Sequence, residues 1–269
     1  MVDDTAVDDS APRITVERDG HLLLMGLNRV DKRNAADWRM LTELALAYGE
    51  LDRDPELRVG VVFAHGEHFT AGLDLADIGP RIGPEGLSLV REGGLDPWRV
   101  QTRGVSKPVV VAVQGTCLTL GIELALASDV VIAADSTTFA QLEVARGILP
   151  FGGATLRFAA RTGWGDAMRW MLTGDRFDAA EAHRIGLVQE VVPHGTQLDR
   201  AREIAGRIAA QAPLAVQATL ANARIAVQDG EAAAAAELQP ELVRLATTED
   251  AAIGMRAFLA RTDPEFVGR

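Results

Sequence analysis

The chain has 269 residues, 48% of them hydrophobic, enough to bury a sizeable core as one domain with an appendage. Its net charge of −11 disfavours nucleic acid as a main partner, because neutralising phosphates needs clustered Lys and Arg. No apolar run approaches the roughly 20 residues that span a bilayer, so no membrane partner is expected.

In chain order, Met1–Ser10 is acidic and lacks an apolar stretch, which fits neither a signal nor a transit peptide. Residues 1–12 read as a disordered lead-in, and a cytoplasmic location follows by default. Leu22–Leu27 reads as a strand, and the loop after it carries a basic cluster, Arg29, Lys32 and Arg33, whose plain reading is a solvated turn. Ala36–Leu51 reads as a helix and Arg58–Ala64 as a strand. That strand runs into His65–Leu75, where Ala71-Gly72 lets the backbone turn sharply and aim peptide N–H groups at a ligand oxygen. Alone, such a pair is usually only a turn. Ile78–Trp98 is rich in Gly and Pro, then apolar. It reads as a mobile loop leading to a helix that walls a pocket with Leu87, Leu89, Val90, Leu95 and Trp98, residues that otherwise are plain core.

Val109–Val113 reads as a buried strand, followed by a Gly-containing turn and a helix over Ile122–Ser128 with Glu123 in its first turn. A strand at Val130–Ala134, a turn at Asp135-Ser136 and the segment Thr138–Leu142 lead to Glu143. Ala154–Ala160 reads as a helix and Leu187–Val192 as a strand. From Gln197 onward strands vanish: Leu198–Gln211, Pro213–Asp229, Glu231–Thr247 and Glu249–Arg261 read as helices, with Pro213 at an allowed first-turn position.

Glu123 and Glu143 are the main chemical signal. Taken singly, a first-turn Glu complements the helix dipole and a loop acid is merely solvated. Near a loop of free amides, with a second amide from Leu120 or Gly121, the pair acquires a use. Two carboxylates whose protonation states are pushed apart supply one group that takes a proton and another that gives one. Cys117 is the only cysteine, so no intrachain disulfide forms; it reads as a small buried thiol, since no His sits in a motif that would activate it. His65 and His68 are the sole close histidine pair, and no metal site is expected.

Six stretches, Leu27–Ala35, His68–Leu75, Ala112–Leu124, Phe139–Glu143, Gly147–Gly153 and Asp178–Val188, occur in an order and spacing that resembles the enoyl-CoA hydratase/isomerase (crotonase) family over most of the chain. The resemblance implies an α/β fold: a crotonase-like spiral of repeated ββα units over residues 13–196 and a C-terminal helical trimerisation region over 197–269. A homotrimer or dimer of trimers is implied. The alternation of strands and helices suits such a spiral better than a simple doubly wound sheet. The resemblance further implies an oxyanion hole from the backbone N–H groups of Ala71 and Leu120, and Glu123 and Glu143 as the two carboxylates of a hydratase. Contacts to an acyl-CoA thioester are implied for Arg29, Lys32, Arg33, Ala35, Gly72, Leu73, Asp74 and Gly121. No cofactor is implied beyond the coenzyme A of the substrate.

The implied activity is syn addition of water to a trans-2-enoyl-CoA thioester, with Glu123 activating the water and Glu143 delivering the α-proton. Double-bond migration by Glu143, or a catalytically weak acyl-CoA-binding subunit, are the alternatives. The chain departs from the family pattern in two places: Thr119-Leu120-Gly121 stands where a run of glycines is common, and Leu142 replaces a common Pro. A side chain at position 120 restricts φ and fills volume that Gly leaves free, so an altered acyl pocket is expected.

Overall fold

A computed structural model describes residues 11–84, 86–88 and 90–269. Most of the expected lead-in, residues 1–10, and the candidate wall residue Leu89 lie outside the described residues. In chain order, β1 (Ile14–Asp19) and β2 (Leu22–Leu27) form a hairpin, α1 (Trp38–Arg53) leads to β3 (Val59–Ala64), and a short α2 (Leu75–Ile78) follows. Next come β4 (Val109–Val113), β5 (Thr116–Leu118), α3 (Leu120–Ala127), β6 (Val130–Ala134) and β7 (Thr138–Ala140). The chain continues through α4 (Ala154–Thr162), α5 (Trp164–Thr173), β8 (Phe177–Asp178), α6 (Ala179–Arg184) and β9 (Glu190–Val192). The remainder is helical: α7 (Gln197–Ala209), α8 (Pro213–Gln228), α9 (Glu231–Ala246) and α10 (Glu249–Ala260).

The main sheet runs β1-β2-β3-β4-β6-β9, parallel except for the β1-β2 hairpin. Its central strands are apolar throughout because both faces are covered. Successive side chains point to opposite faces. Leu23, Met25, Val62, Val109, Val111 and Val131 therefore join the core under α1 and α3, whereas Leu22, Leu24, Val61, Val110 and Ile132 meet Ala201, Ala205 and Ala209 of α7. Alanines at that spacing let α7 lie close to the sheet. On the other face Gly60 does the same for α1, since a Cβ there would stand 2.6 Å from Leu51 Cδ2.

A smaller sheet, β5-β7-β8, lies beyond the first. β4 passes into β5 and α3, β6 passes into β7 and a 3-10 turn at Glu143–Arg146, and Thr70, after β3, bridges in parallel to Cys117 of β5 before α2 begins. This succession of strand, strand and helix is the crotonase spiral. It stacks the ends of β5, β7 and the Thr70 segment side by side, which places the loops that follow them around one cleft.

One expectation fails. Among the described residues between Arg81 and Trp98 no helix forms. The chain instead turns around Asp96, whose carboxylate accepts the N–H groups of Trp98, Val100 and Gln101 at 2.9, 2.7 and 2.8 Å. Before that turn, Gly93-Gly94 and Pro97 break the helical pattern, with Gly93 at a left-handed φ of +82°.

The helical tail is tied to the sheet by Arg58, which donates to the Ala209 carbonyl at 2.9 Å and the Phe266 carbonyl at 2.7 Å. Leu238, Leu242, Val243, Met255, Phe258 and Leu259 on α9 and α10 remain exposed. Among the described residues no helix is long and apolar enough to cross a membrane.

Candidate active site

Loops at the ends of the spiral strands enclose a cleft of about 370 Å³ lined by Lys32, Ala35, Ala71, Leu73, Asp74, Leu118, Thr119, Leu120, Glu123, Leu142, Glu143, Arg146 and Phe151, among others. Both acids face it although they come from different units of the spiral.

Glu123 sits in the first turn of α3 and is 2% exposed. Its Oε1 accepts the Ala154 N–H at 3.1 Å, so the start of α4 fixes the carboxylate from behind. Burial pushes its pKa up to about 7, and the nearby charge of Glu143 acts in the same direction against the Ala154 hydrogen bond. Glu143 opens the 3-10 turn after β7 and is 7% exposed. Its Oε1 accepts from Gln141 Nε2 at 3.1 Å, whereas Oε2 is buried without a partner. Burial raises its pKa too. A bare buried carboxylate oxygen is costly when ionised and cheap when it carries a proton. The pair therefore holds one proton over a range where ordinary carboxylates hold none.

The amide donors need a correction. The Ala71 N–H is already spent on the Arg33 carbonyl at 2.9 Å, so it is not available to an oxyanion. The Gly72 N–H goes to Thr70 Oγ1 at 3.0 Å. The next amide, that of Leu73, has no acceptor among the described residues and borders the cleft. On the opposite wall Leu120 is the first residue of α3, where an N–H has no intrahelical acceptor. Leu73 and Leu120, not Ala71 and Leu120, are the unspent donors. Thr119 adopts a φ of +49° to bring α3 into position, a conformation natural for Gly and strained for Thr.

The Leu120 side chain is 5% exposed and belongs to the core. It separates the cleft from an apolar void of about 20 Å³ bounded by Leu27, Met40, Leu44, Phe69 and Trp98. Trp98 Nε1 donates to the Leu120 carbonyl at 3.1 Å and holds this corner.

The basic loop divides its cations. Arg29 is committed to Asp74 at 2.8 Å and Asp37 at 3.3 Å and also donates to the Ala35 carbonyl, which makes it a brace for the loop. Lys32 is exposed at the cleft. Arg33 borders a separate depression with His65 and His68. Gly121 also lies away from the cleft: a Cβ there would stand 2.6 Å from Thr70 Cγ2, so its glycine serves the packing of α3 on β5. Ala35 and Asp74 line the cleft, and Gly72 (φ +96°) turns the chain between Ala71 and Leu73. Cys117 is buried, and burial pushes its thiol pKa up. His65 and His68 are engaged with Thr15 and Thr116, and among the described residues no group of three His, Cys, Asp or Glu could hold a metal ion.

Four contributors escape the sequence reasoning: Gln141, Arg146, Gly152 and Asn34. Arg146 is an exposed cation at the cleft beside Glu143. Its signal was its place in the turn that Glu143 opens. Asn34 is buried at φ +53°, accepts the Arg29 N–H at 2.7 Å, and donates to the His65 and His68 carbonyls at 3.0 and 2.8 Å. Asn34→Ala leaves three backbone groups unpaired in a left-handed conformation. Equilibrium urea unfolding should show a loss of about 3 kcal/mol; a loss below about 1 kcal/mol would mean that water replaces all three bonds.

The profile of the family described as "Enoyl-CoA hydratase/isomerase" matches residues 17–269. The enoyl-CoA hydratase EchA19 of Mycobacterium tuberculosis is 32% identical over 268 residues, covering 97% of this chain and 98% of that protein. A crystal structure of a probable enoyl-CoA hydratase/isomerase from Mycobacterium abscessus superposes with a TM-score of 0.93 at 59% identity, covering 96% of this chain and 99% of the other. That of an enoyl-CoA hydratase from Mycobacterium tuberculosis superposes with a TM-score of 0.87 at 35% identity, covering 96% and 100%.

Proposed function

Because this chain belongs to the enoyl-CoA hydratase/isomerase family, we propose that it hydrates a trans-2-enoyl-CoA thioester to the 3-hydroxyacyl-CoA by syn addition of water. The observation that carries this reading is the pair of buried carboxylates, Glu123 and Glu143, facing one cleft beside the unspent amides of Leu73 and Leu120.

The thioester oxygen sits between the Leu73 and Leu120 N–H groups, which stabilise the enolate as negative charge moves onto that oxygen. Carbonyl polarisation makes the β-carbon electrophilic. Glu123 removes a proton from water as its oxygen bonds to the β-carbon, and Glu143 gives its proton to the α-carbon. The atoms of one water are thereby added and the proton has moved from one carboxyl to the other. Return of that proton from Glu123 to Glu143 resets the site. Fixing of Glu123 by the Ala154 N–H supports the base role, and the bare Oε2 of Glu143 supports the acid role. Lys32 and Arg146 are the cations best placed for the phosphates of coenzyme A. No separate cofactor enters the reaction. The exposed apolar residues of α9 and α10 support assembly as a homotrimer or dimer of trimers.

The test is loss of conjugated-thioester absorbance across trans-2-enoyl-CoA substrates of increasing chain length. At least one should be consumed to its 3-hydroxy product. Binding without consumption across the whole panel would sink the hydratase reading.

The shared proton sets the pH dependence. Only the singly protonated pair is competent, so kcat/KM should be bell-shaped, with the alkaline limb where the pair as a unit loses its shared proton, near the value of about 7 to which burial pushes Glu123. A profile flat between about pH 5 and 9 contradicts the shared proton.

A further inference from the structure

Away from the cleft, four arginines meet in a groove of about 450 Å³ between α4 and α8, also bordered by Leu126 and Ser128 at the end of α3. It shares no lining residue with the cleft. Arg157 and Arg161 come from α4, Arg224 from α8, and Arg99 from the turn organised by Asp96. Asp129 is the carboxylate lining the groove, and it is already shared between Arg224 at 3.2 Å and the Val109 N–H at 2.8 Å. The other acids that act on Arg157 are engaged elsewhere: Asp96 is spent on backbone amides, and Glu123 accepts the Ala154 N–H.

Two of the cations have evident structural work. Arg161 donates to the Leu126 and Ser128 carbonyls at the end of α3, and Arg224 also binds the Val105 carbonyl at 2.6 Å. Arg157 spends one nitrogen on the Arg99 carbonyl at 3.1 Å. Among the described residues the Arg99 guanidinium makes no hydrogen bond or ion pair. Arg99 Nε, Arg157 Nη1 and Arg224 Nε are buried N–H groups without acceptors. Burial, then Arg224 and Arg157, lower the Arg99 pKa to about 10.

Guanidinium groups presenting unused N–H donors are suited to the paired oxygens of a carboxylate or phosphate. We propose that this groove is a binding site for a free oxyanion of phosphate or carboxylate type, with Arg99 and Arg157 as its principal donors. The apolar rim formed by Leu156, Leu220 and Val227 suits an organic anion with a short aliphatic part.

Thermal unfolding in rising inorganic phosphate, with sodium chloride holding ionic strength constant, tests the site. Wild type should show a saturable rise in Tm of a few degrees that chloride does not give. A Lys32→Ala, Arg146→Ala double variant, which removes the cleft cations, should keep that rise, and Arg99→Gln should lose it. Arg99→Gln removes no hydrogen bond or ion pair of the side chain among the described residues and keeps carbon atoms at the Cγ and Cδ positions that pack on Gly104, so in chloride it should unfold at or above the wild-type temperature. An equal rise in Arg99→Gln, no rise in wild type, or a rise lost only in the double variant overturns the proposal. Sedimentation supplies a further check: phosphate that splits an assembly would place an acidic side chain of a second copy in the groove, which overturns it as well.

Discussion

Glu123→Gln should lower kcat/KM for enoyl-CoA hydration by about 10²–10⁴-fold and at the same time raise stability above pH 7. The two effects have one cause. Glutamine keeps the shape of the side chain, and its carbonyl oxygen still accepts the Ala154 N–H, but it cannot take a proton from water. The stability sign follows from the raised pKa. Below about pH 4.5 the carboxyl is neutral in both folded and unfolded chains. Between about 4.5 and 7 the folded chain holds the proton more tightly, so stability falls as pH rises through that window. The accumulated cost above 7 is about 3 kcal/mol, which glutamine avoids. Urea unfolding at about pH 4 and pH 8 separates the cases: the two proteins should match in acid and diverge in base, the variant being the more stable. If the variant is less stable at pH 8, the loss of activity has a structural origin and the assignment of Glu123 as base fails.

The core of the fold was legible because the strands of a parallel sheet, buried on both faces, read as unbroken apolar runs. Leu22–Leu27, Val109–Val113 and Val130–Ala134 stand where the sequence reading put them. Edge and short strands carry no such mark. β1 exposes Glu17, Arg18 and Asp19, and β5, β7 and β8 have three residues or fewer, too few to show a period. The helix expected before Trp98 fails because Gly93-Gly94 and Pro97 interrupt it, Gly93 taking a left-handed φ of +82°. At the site, Glu123 was visible as an acid in the first turn after a buried strand. Which amide of the Ala71–Leu73 turn stays free was not visible, because it depends on the Arg33 carbonyl, distant in sequence, having claimed Ala71. The same limit applies to Arg29: a count of charges cannot reveal that Asp37 and Asp74 have already neutralised it.

Gly152→Ala should cost about 10²-fold in kcat while leaving Tm within a few degrees of wild type. A Cβ at Gly152 would stand 2.8 Å from Glu123 Cδ and 3.3 Å from its Cβ, and nearer still to Oε2. Its backbone is not in the left-handed region, so alanine meets no conformational penalty there. The two atoms that come closest, Oε2 and Cδ, belong to the end of a flexible side chain, so the cheapest response is rotation of the carboxylate out of place, with the main chain giving at most a few tenths of an ångström. A displacement near 1 Å of a reacting group is enough to cost about two orders of magnitude. Gly165→Ala is the control: it lies in the first turn of α5 with nothing within 4 Å of the added Cβ, so it should hold or gain up to about 0.5 kcal/mol of stability with kcat unchanged. Full activity in Gly152→Ala would mean that Glu123 works from a second orientation, and the Ala154 N–H would then have no part in setting its aim. Global unfolding of the same variant would instead place the rigidity in the turn before α4, and the carboxylate would be the fixed partner against which that turn is packed.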